Sequence, residues 1–586
     1  MKPNVLFLMV DELRAPMNET PEIKAWRKEY LKTQTYLEER GTNFLNHYTS
    51  STGCVPGRAN LMCGQYNTLI KTTQTEGIAK SINDVFWLDR NNVPTAGSYF
   101  SESGYLCLYK GKVHFTNQDI YISGSNTDAL LTYDQEGVPN KNITKFYEMS
   151  NRLKDFGFEG YVGPMPIGVS ALNSGGSSKN EPYNGRDTVY TEEVINILET
   201  FEKENFDEPW FVVASLVNPH DIALYGELTK RNPQFNFEID SSVPFIPQSP
   251  TANENLDSKP RCQAFYRDKL QEVLQPVKDS EEYRKLYYSL NLQVDRNHWK
   301  IIETLRKSRY NENTIILFVS DHAELLGSHG GLFQKWYNAY EESIKIPFLI
   351  KVPKSLGKQV SKVKMLTSNV DLLPTLLGLC NIDQEKVLKK LKKTHINARR
   401  LVGRDLSKII LGKEKEKDEP ILFLTNDDPF KGKNQITWTG EPYTEIQQPC
   451  NIRTVIVKLN GITWKYSEYF DDPDFWTTPN VQNLVKIQRK QRKEEDNILV
   501  EKLIQIIRTN RTEMEFEMYN LTEDPIEAIN LANFEEMKCI QKELRIILYK
   551  DAIKKFKVPF QNKFIPETPF NSANPDEPLP KNNIGF

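Results

Sequence analysis

The chain has 586 residues, of which 39% are hydrophobic and 26% charged, and a formal net charge of −3. This length exceeds one ordinary hydrophobic core, so two or more domains are expected, and the near-neutral charge without a long basic block excludes nucleic acid as the expected partner. Seven cysteines without a paired spacing argue against a disulfide framework. No apolar run has transmembrane length and the first is too short for a signal peptide, so we expect a cytoplasmic protein with no membrane partner.

Three short apolar runs end in polar residues: Val5–Val10 before Asp11-Glu12, Trp210–Leu216 before Asn218-Pro219-His220, and Thr314–Val319 before Ser320-Asp321-His322. Continuous runs of this kind are typical of parallel strands buried on both faces. Helices are predicted between them, over Asp187–Lys203 and Ser280–Arg306. The pattern therefore predicts an α/β domain with a mostly parallel sheet flanked by helices, in which the polar residues meet at one edge of the sheet.

The segment Cys54–Gly64 predicts a helix that begins at a reactive side chain. Pro56 suits the first helical turn, and Arg58 lies about one turn after Cys54, near the same helix face. A helix N-terminus and a guanidinium group both favour negative charge. The segment therefore predicts an anion site around Cys54 that can reach the polar edge of the sheet.

The α/β pattern ends near Leu411, and the charged run Lys413–Glu419 marks a boundary. We expect a catalytic α/β domain over 1–415, a smaller α+β domain with an antiparallel sheet over 416–558, and an extended tail over 559–586. The first strands of the α+β domain are predicted at Pro420–Leu424, Arg453–Leu459 and Thr463–Tyr466. The last two are joined by an Asn460-Gly461 hairpin. A helix is predicted over about Val481–Arg508, with the basic run Lys486–Lys493 on its solvated face.

The polar segments together resemble the signatures of the sulfatase family, the formylglycine-dependent branch of the alkaline-phosphatase-like superfamily. The resemblance rests on Asp11-Glu12, the Cys54-x-Pro-x-Arg58 segment, Gly111-Lys112-Val113-His114, Asn218-Pro219-His220, Ser320-Asp321-His322, Gly327 to Gly331 with Lys335, Tyr340-Glu341-Glu342-Ser343 with Ile346-Pro347, and Met518-Tyr519-Asn520-Leu521 with Asp524-Pro525 and Asn530-Leu531. It implies an alkaline-phosphatase-like fold and the cleavage of sulfate esters.

In this family a formylglycine-generating enzyme oxidises the cysteine, so the resemblance implies that Cys54 becomes formylglycine. One hydroxyl of the hydrated aldehyde would attack the ester, and loss of a proton from the other would expel the inorganic anion. The resemblance also assigns roles to five other residues. Arg58 would hold the diol, Lys112 and Lys335 would neutralise the anion, His114 would act as the base and His220 as the acid. A small-molecule or saccharide sulfate ester would contact Lys112, His220 and Lys335.

The resemblance further implies one divalent metal ion, which Asp11, Glu12, Cys54, Asp321 and His322 would hold. Oxygen-dominated ligands favour calcium, with manganese or magnesium as alternatives. Helix capping would be a sufficient explanation for Asp11-Glu12 or for Asp321-His322 if either pair occurred alone. The Asp321-His322 pair looks more like that of phosphonate monoester hydrolases and phosphodiesterases, which leaves such esters as a first alternative. A non-catalytic binding protein with an unmodified Cys54 is the second alternative. The segments Phe115–Arg186 and Tyr225–Pro260 are interpreted as substrate-specificity excursions over the sheet edge.

Overall fold

The computed structural model describes residues 2–76, 80, 82–123, 128–134, 138–167, 171–179, 184–428, 446–472, 485–490, 502–507, 510–557 and 559. Its strands are β1 (Asn4–Asp11), β2 (Thr42–Phe44), β3 (His47–Tyr48), β4 (Leu106–Gly111), β5 (Trp210–Pro219), β6 (Thr314–Ser320), β7 (Phe348–Lys351), β8 (Lys362–Val363), β9 (Thr367–Ser368), β10 (Ile421–Thr425), β11 (Asn451–Leu459), β12 (Ile462–Phe470), β13 (Val485–Lys490), β14 (Lys502–Ile507) and β15 (Glu515–Asn520).

The helices of the described residues are α1 (Pro21–Tyr30), α2 (Lys32–Arg40), α3 (Cys54–Cys63), α4 (Asn67–Ile70), α5 (Ala96–Ser101), α6 (Lys141–Ser150), α7 (Ala171–Ser174), α8 (Arg186–Glu204), α9 (Arg261–Val273), α10 (Glu281–Lys307), α11 (Ser328–Gly331), α12 (Glu341–Ile344), α13 (Leu372–Leu379), α14 (Gln384–Leu391), α15 (Ser407–Ile410) and α16 (Lys538–Lys555). The two helices predicted between the buried strands correspond to α8 and α10. No helix in the described ranges is long and apolar enough to cross a bilayer.

The large sheet has the strand order β4-β5-β1-β6-β7-β2-β8. Strand β1 is parallel to β5 and β6 on either side, β4 is parallel to β5, and β7 is antiparallel to both β6 and β2. Every residue of β1, β5 and β6 is buried, as their continuous apolar runs predict. Because these strands run in the same direction, Asp11, Pro219 and Ser320 end them at one edge, and the predicted mostly parallel sheet is confirmed.

The two faces of the large sheet carry separate layers of helices, because successive side chains of a strand point to opposite faces. Leu6, Leu8 and Val10 of β1 share a core with α8 and α10. Val5, Phe7 and Met9 face the other way, into a core shared with α3, α5 and α13. Helix α3 is thus packed under the sheet, and its first residue, Cys54, reaches the edge where the parallel strands end.

A smaller antiparallel sheet with the order β10-β11-β12-β15 forms the C-terminal part of the fold. Asn460 and Gly461, with φ angles of 51° and 83°, join β11 to β12 in the predicted hairpin, since such two-residue turns need left-handed residues. One face packs on α16 through Leu544 and Leu548, and the other joins the large core. The boundaries at 415 and 558 stay predictions, and the predicted tail over 559–586 lies outside the described residues apart from position 559.

The helix predicted over Val481–Arg508 is wrong, because β13 and β14 form an antiparallel pair there. The interpretation of Lys486–Lys493 as a solvated helix face is therefore also wrong, because its first five residues lie in β13. The charged residues between the two strands imitate a helical charge pattern, but Val485 and Ile487 in one strand, and Ile504 and Ile506 in the other, recur with a period of two. That period and the β-branched residues favour strands.

Candidate active site

Cys54 opens α3 and faces the carboxyl ends of the central strands. Its Sγ lies 3.2 Å from Nε2 of His322 and 3.6 Å from Oδ1 of Asp11. One turn further on, a Cβ at Gly57 would lie 3.1 Å from the carbonyl oxygen of Asp321. The glycine therefore lets the helix start approach the strand edge closely. Burial and then the Asp11 carboxylate raise the pKa of the Cys54 thiol well above its usual value.

Arg58 joins the ends of the three central strands from a fully buried position. Its Nη2 donates to Oδ2 of Asp11 at 2.9 Å, its Nε donates to Oδ2 of Asp321 at 2.8 Å, and its Nη1 donates to Oγ of Ser215 at 2.8 Å. Burial works against the charged guanidinium, but the two carboxylates raise the pKa of Arg58 further above its normal range. Arg58 therefore holds Oδ2 of each aspartate, which leaves Oδ1 of Asp11 facing Cys54. Oδ1 of Asp321 accepts hydrogen bonds from the backbone N–H groups of Glu12 and His322, at 3.2 Å and 2.9 Å.

Asp11, Cys54, Asp321 and His322 place their ligand atoms within 4.8 Å of one another. The Oδ1 atoms of Asp11 and Asp321 lie 3.5 Å and 3.8 Å from Nε2 of His322. Nδ1 of His322 is 3.2 Å from the carbonyl oxygen of Ala323, a contact that leaves Nε2 as the coordinating nitrogen. This compact set of two carboxylates, an imidazole and the residue-54 side chain fits a divalent cation.

Glu12 belongs to a neighbouring group with Asp11 and His220, and not to the set around Cys54. Its φ of 72° is left-handed, which turns the chain sharply after β1. Oε2 of Glu12 lies 2.9 Å from Nζ of Lys335, whereas its buried Oε1 has no hydrogen-bond partner among the described residues. Burial raises the pKa of Glu12 well above its usual value, opposed by Lys335. Direct ligation of the metal by Glu12 stays a prediction.

Two buried lysines line the site. Nζ of Lys112 is 2.8 Å from Oδ2 of Asp11, and Nζ of Lys335 pairs with Glu12. Burial alone would lower the pKa of each lysine. Asp11 nevertheless raises the pKa of Lys112, and the Cys54 side chain, followed by Glu12, raises the pKa of Lys335. Both lysines therefore stay charged, and they form an anion pocket together with the start of α3.

His114 and His220 flank this pocket. Burial lowers the pKa of both rings, and the positive charge of Lys112 lowers it further. Both rings are therefore neutral near pH 7. His114 has a left-handed φ of 52°, and its Nε2 lies 2.6 Å from Oε1 of Glu76. His220 follows the end of β5, which Asp187 holds by accepting hydrogen bonds from the backbone N–H groups of Val217 and Asn218, at 2.6 Å and 3.0 Å.

The structure brings all of the predicted site residues to one edge of the sheet, and it adds residues that the sequence analysis missed. Ser215 binds Arg58, Asp187 supports the end of β5 before His220, Glu324 lies beside Glu12, and Glu76 contacts His114. Asp187 opens a predicted helix, which is a weak signal. Glu76 follows a threonine-rich stretch with no recognisable motif, so nothing in the sequence indicated it.

A small polar cleft opens near Cys54 and Lys335, although neither of these side chains lines it. Gly53, which precedes Cys54, and Trp336, which follows Lys335, both contribute to its wall. The far side is closed by an ion pair between Lys80 and Asp427, so the small sheet contributes to the cleft as well. The cleft therefore adjoins the two chain segments that carry Cys54 and Lys335.

A mostly parallel sheet that gathers Cys54, carboxylates and lysines at one edge defines a hydrolase with an alkaline-phosphatase-like fold. The family model described as Sulfatase matches residues 3–382. The chain therefore belongs to the sulfatase family.

Two curated relatives are both 26% identical to this chain. The uncharacterized sulfatase YidJ of Escherichia coli (strain K12) aligns over 395 residues, and the choline-sulfatase of Rhizobium meliloti (strain 1021) over 401 residues, in each case 66% of this chain and 69% of the relative. Two solved structures share the fold. BT4656 in complex with its substrate D-glucosamine-2-N,6-O-disulfate gives a TM-score of 0.57 at 14% identity, covering 95% of this chain and 98% of that chain. The phosphonate monoester hydrolase of Agrobacterium radiobacter gives 0.54 at 16% identity, covering 94% and 96%.

Proposed function

We propose that this protein hydrolyses sulfate esters, with Cys54 converted to formylglycine and one divalent cation held by Asp11, Asp321, His322 and residue 54. The observation that carries the proposal is the position of Cys54, with Sγ 3.2 Å from His322 and 3.6 Å from Asp11 between two buried lysines. Formylglycine would supply the attacking hydroxyl, and the cation would lower the pKa of that hydroxyl and polarise the ester. Calcium suits the oxygen-rich donor set, while His322 also suits manganese.

The protein's own residues prepare both ends of the reaction. Lys112 and Lys335 would bind the sulfate oxygens and stabilise the charge that builds on them. His114 is neutral, which suits the acceptance of a proton. His220 is also neutral in the free protein, and an anionic ester bound beside it would raise its pKa and make it the donor to the leaving alcohol.

The cleft near Cys54 supports a saccharide as the leaving group. Thr52 and Thr73 line it with buried hydroxyl groups that have no hydrogen-bond partner among the described residues. Trp336 and Tyr337 add aromatic surface. Buried hydroxyl groups next to aromatic rings suit a sugar, which presents both hydroxyl groups and apolar C–H faces. The complex of BT4656 with a sulfated glucosamine supports the same substrate class for this chain.

A second candidate, the hydrolysis of phosphonate monoesters or phosphodiesters, is favoured by one observation. His322, not an amide residue, provides the ligand atom nearest to Cys54. The lysines recognise negative charge and tetrahedral shape, which sulfur and phosphorus esters share. The structural likeness to a phosphonate monoester hydrolase supports this candidate as a side activity of the same site.

The test uses the full chain co-expressed with a formylglycine-generating enzyme. The Cys54 peptide should have the mass of formylglycine, and elemental analysis should find a stoichiometric divalent cation. Cys54→Ala should lower kcat/KM for a saccharide sulfate by at least about a thousandfold. Cys63→Ala, at the buried other end of the same helix, is the matched control and should retain activity.

The same preparations are assayed on a saccharide sulfate, an aryl sulfate, a phosphonate monoester and a phosphodiester. Turnover of the saccharide sulfate above the aryl sulfate supports the proposed leaving group. A protein that carries formylglycine and the cation but cleaves no sulfate ester would contradict the proposal. Faster turnover of the phosphorus esters would make the second candidate the main function.

A further inference from the structure

We propose that Glu76 is a positioning residue that orients His114 for proton transfer, through the close contact between its carboxylate and Nε2 of the imidazole. This inference rests on the proposed function, because it assigns a partner to the base of that reaction. Neither Glu76 nor the loop that carries it belongs to any of the motifs found in the sequence.

The geometry of the pair is specific at both ends. Oε1 of Glu76 lies 2.6 Å from Nε2 of His114, and Oε2 accepts a hydrogen bond from Oγ1 of Thr75 at 3.3 Å. The side chain of His114 is 1% exposed and that of Glu76 is 20% exposed. The ring of Trp87 lies against the imidazole, with the two centroids 5.7 Å apart. Glu76 is thus held by Thr75 with its carboxylate against one identified ring nitrogen, Nε2, of a buried histidine.

The pair decides which nitrogen of His114 exchanges protons. A carboxylate beside Nε2 favours the tautomer with a proton on that nitrogen, which leaves the lone pair on Nδ1. Both ring nitrogens are buried and neither has hydrogen-bond geometry with a described residue, but Nε2 lies 2.6 Å from Oε1 of Glu76 whereas Nδ1 has no such carboxylate contact among the described residues. In the proposed reaction, Nδ1 would accept the proton that a hydroxyl group of the modified residue 54 loses as the aldehyde C=O bond re-forms and the bond from residue 54 to the departing inorganic anion breaks. Glu76 stabilises the resulting imidazolium until solvent takes that proton from Nδ1.

The charges around His114 make Glu76 important for its basicity. Burial lowers the pKa of His114, and the cations Lys112 and Arg58 lower it further, while Glu76 raises it. In return, although burial opposes the charge, His114 lowers the pKa of Glu76 to about 2. Glu76 is therefore a carboxylate at any working pH, and among these neighbours it supplies the negative charge that keeps His114 basic enough to accept a proton.

The experiment compares Glu76→Gln with Glu193→Gln in the full-length protein. Glu193 is the matched control because it is about equally exposed, at 21%, and pairs at 3.7 Å with Lys110, which is not one of the proposed site residues. Histidine labelled with ¹³C at Cε1 is titrated by NMR, and the His114 signal is assigned with His114→Gln. Glu76→Gln should lower the pKa of His114 by about one unit or more, whereas Glu193→Gln should leave it unchanged.

Kinetics on a sulfate ester give the catalytic consequence. Glu76→Gln should lower kcat by about tenfold to a hundredfold with KM within about twofold, and should move the acidic limb of the kcat profile to lower pH. Glu76→Asp keeps the carboxylate and should restore part of kcat and the position of the limb. Thermal unfolding of each variant checks that the fold is retained.

The outcomes separate this inference from the proposed function. An unchanged His114 titration in Glu76→Gln overturns the inference, and so does a loss of kcat without a shift of the acidic limb, which is the result of a purely structural role. If the His114 titration shifts but the wild type cleaves no sulfate ester, the contact stands and the proposed function is refuted. If Glu76→Gln does not fold, Glu76→Ala takes its place: a lowered His114 pKa supports the inference, and an unchanged His114 titration overturns it.

Discussion

The catalytic cluster, made of Asp11, Cys54, Arg58, Lys112, Asp321 and His322, and a second cluster at the junction with the small sheet both bury histidine beside carboxylates. The junction cluster consists of Glu254, His329, Glu342, Lys465 and Glu527. Nδ1 of His329 lies 2.9 Å from Glu254 and Nε2 lies 3.2 Å from Glu342, while its ring stacks on Tyr340 with centroids 3.5 Å apart. Lys465 of β12 pairs with Glu527 at 2.8 Å and so ties the small sheet to this cluster.

The two clusters set the charge of histidine in opposite directions. Burial by itself lowers the pKa of His329, but Glu342 and Glu254 raise it to about 9, so His329 is charged at neutral pH. In the catalytic cluster, burial lowers the pKa of His322, and Lys335 adds to that effect against Asp321. Because burial lowers the pKa of both histidines, the charges of their neighbours account for the difference: a carboxylate pair keeps His329 charged, whereas His322 stays neutral and able to bind and exchange protons.

This difference also explains the Tyr340-Glu341-Glu342-Ser343 segment. Although the segment resembles a family signature, Glu341 and Glu342 lie in the junction region and not beside Cys54. Glu341 pairs with Lys465 at 3.0 Å, and its backbone N–H donates to Glu527 at 2.6 Å. The segment thus joins the catalytic sheet to the small sheet, which places the walls of the cleft.

The largest effect should come from breaking the catalytic cluster with Arg58→Met. This change leaves Asp11 and Asp321 buried without the guanidinium that pairs with both, so the free energy of unfolding should fall by about 3–5 kcal/mol. Sulfate ester hydrolysis should be lost in the protein that still folds. Urea denaturation and activity assays measure the two effects.

Arg404→Met is the control for this variant. Arg404 pairs with Asp371 at 2.7 Å but is 19% exposed, so its removal should cost less stability and leave kcat unchanged. Equal stability losses in the two variants would show that the catalytic cluster is not specially dependent on its arginine.

A smaller effect should follow from His329→Gln, which removes the cation of the junction cluster. The folded-state pKa of His329 is about 9, above its ordinary value, so its charge contributes stability that is complete below about pH 6.5 and is lost as the pH rises through 9. The shift corresponds to about 3 kcal/mol. The difference in unfolding free energy between wild type and His329→Gln should therefore shrink by that amount between pH 6.5 and 10.

Urea denaturation at several pH values gives this difference, and kcat of the folded variant should stay within about twofold of the wild type. A stability difference that is independent of pH would mean that His329 is neutral in the folded protein. The contrast between the two clusters would then be removed.

The smallest effect should come from Tyr340→Phe, which keeps the ring stacked on His329 but removes the hydroxyl. That hydroxyl donates to Glu517 at 2.8 Å and lies 2.7 Å from Oε1 of Gln263, so its loss should cost about 1–2 kcal/mol. The His329 pKa should stay near that of the wild type, as measured by NMR. A large fall would assign the raised pKa to the Tyr340 network instead of the carboxylates.

Several elements were determined by the sequence alone, because their causes are local. Continuous apolar runs identify β1, β5 and β6, and the polar residues that follow them identify the edge where the site forms. The proline and arginine after Cys54 indicate the helix that carries it, and Asn460-Gly461 indicates the hairpin. From these elements most of the fold and the predicted cluster of Asp11, Arg58 and Asp321 follow.

The tertiary structure alone decided which distant groups meet. Glu76 faces His114, and Glu254 and Glu342 enclose His329, although no periodicity in the chain connects them. The pairing of β13 with β14 overrode a charge pattern that favoured a helix. A sequence pattern reports the preferences of neighbouring residues, whereas the charge of a buried histidine depends on groups that only folding brings within a few ångströms.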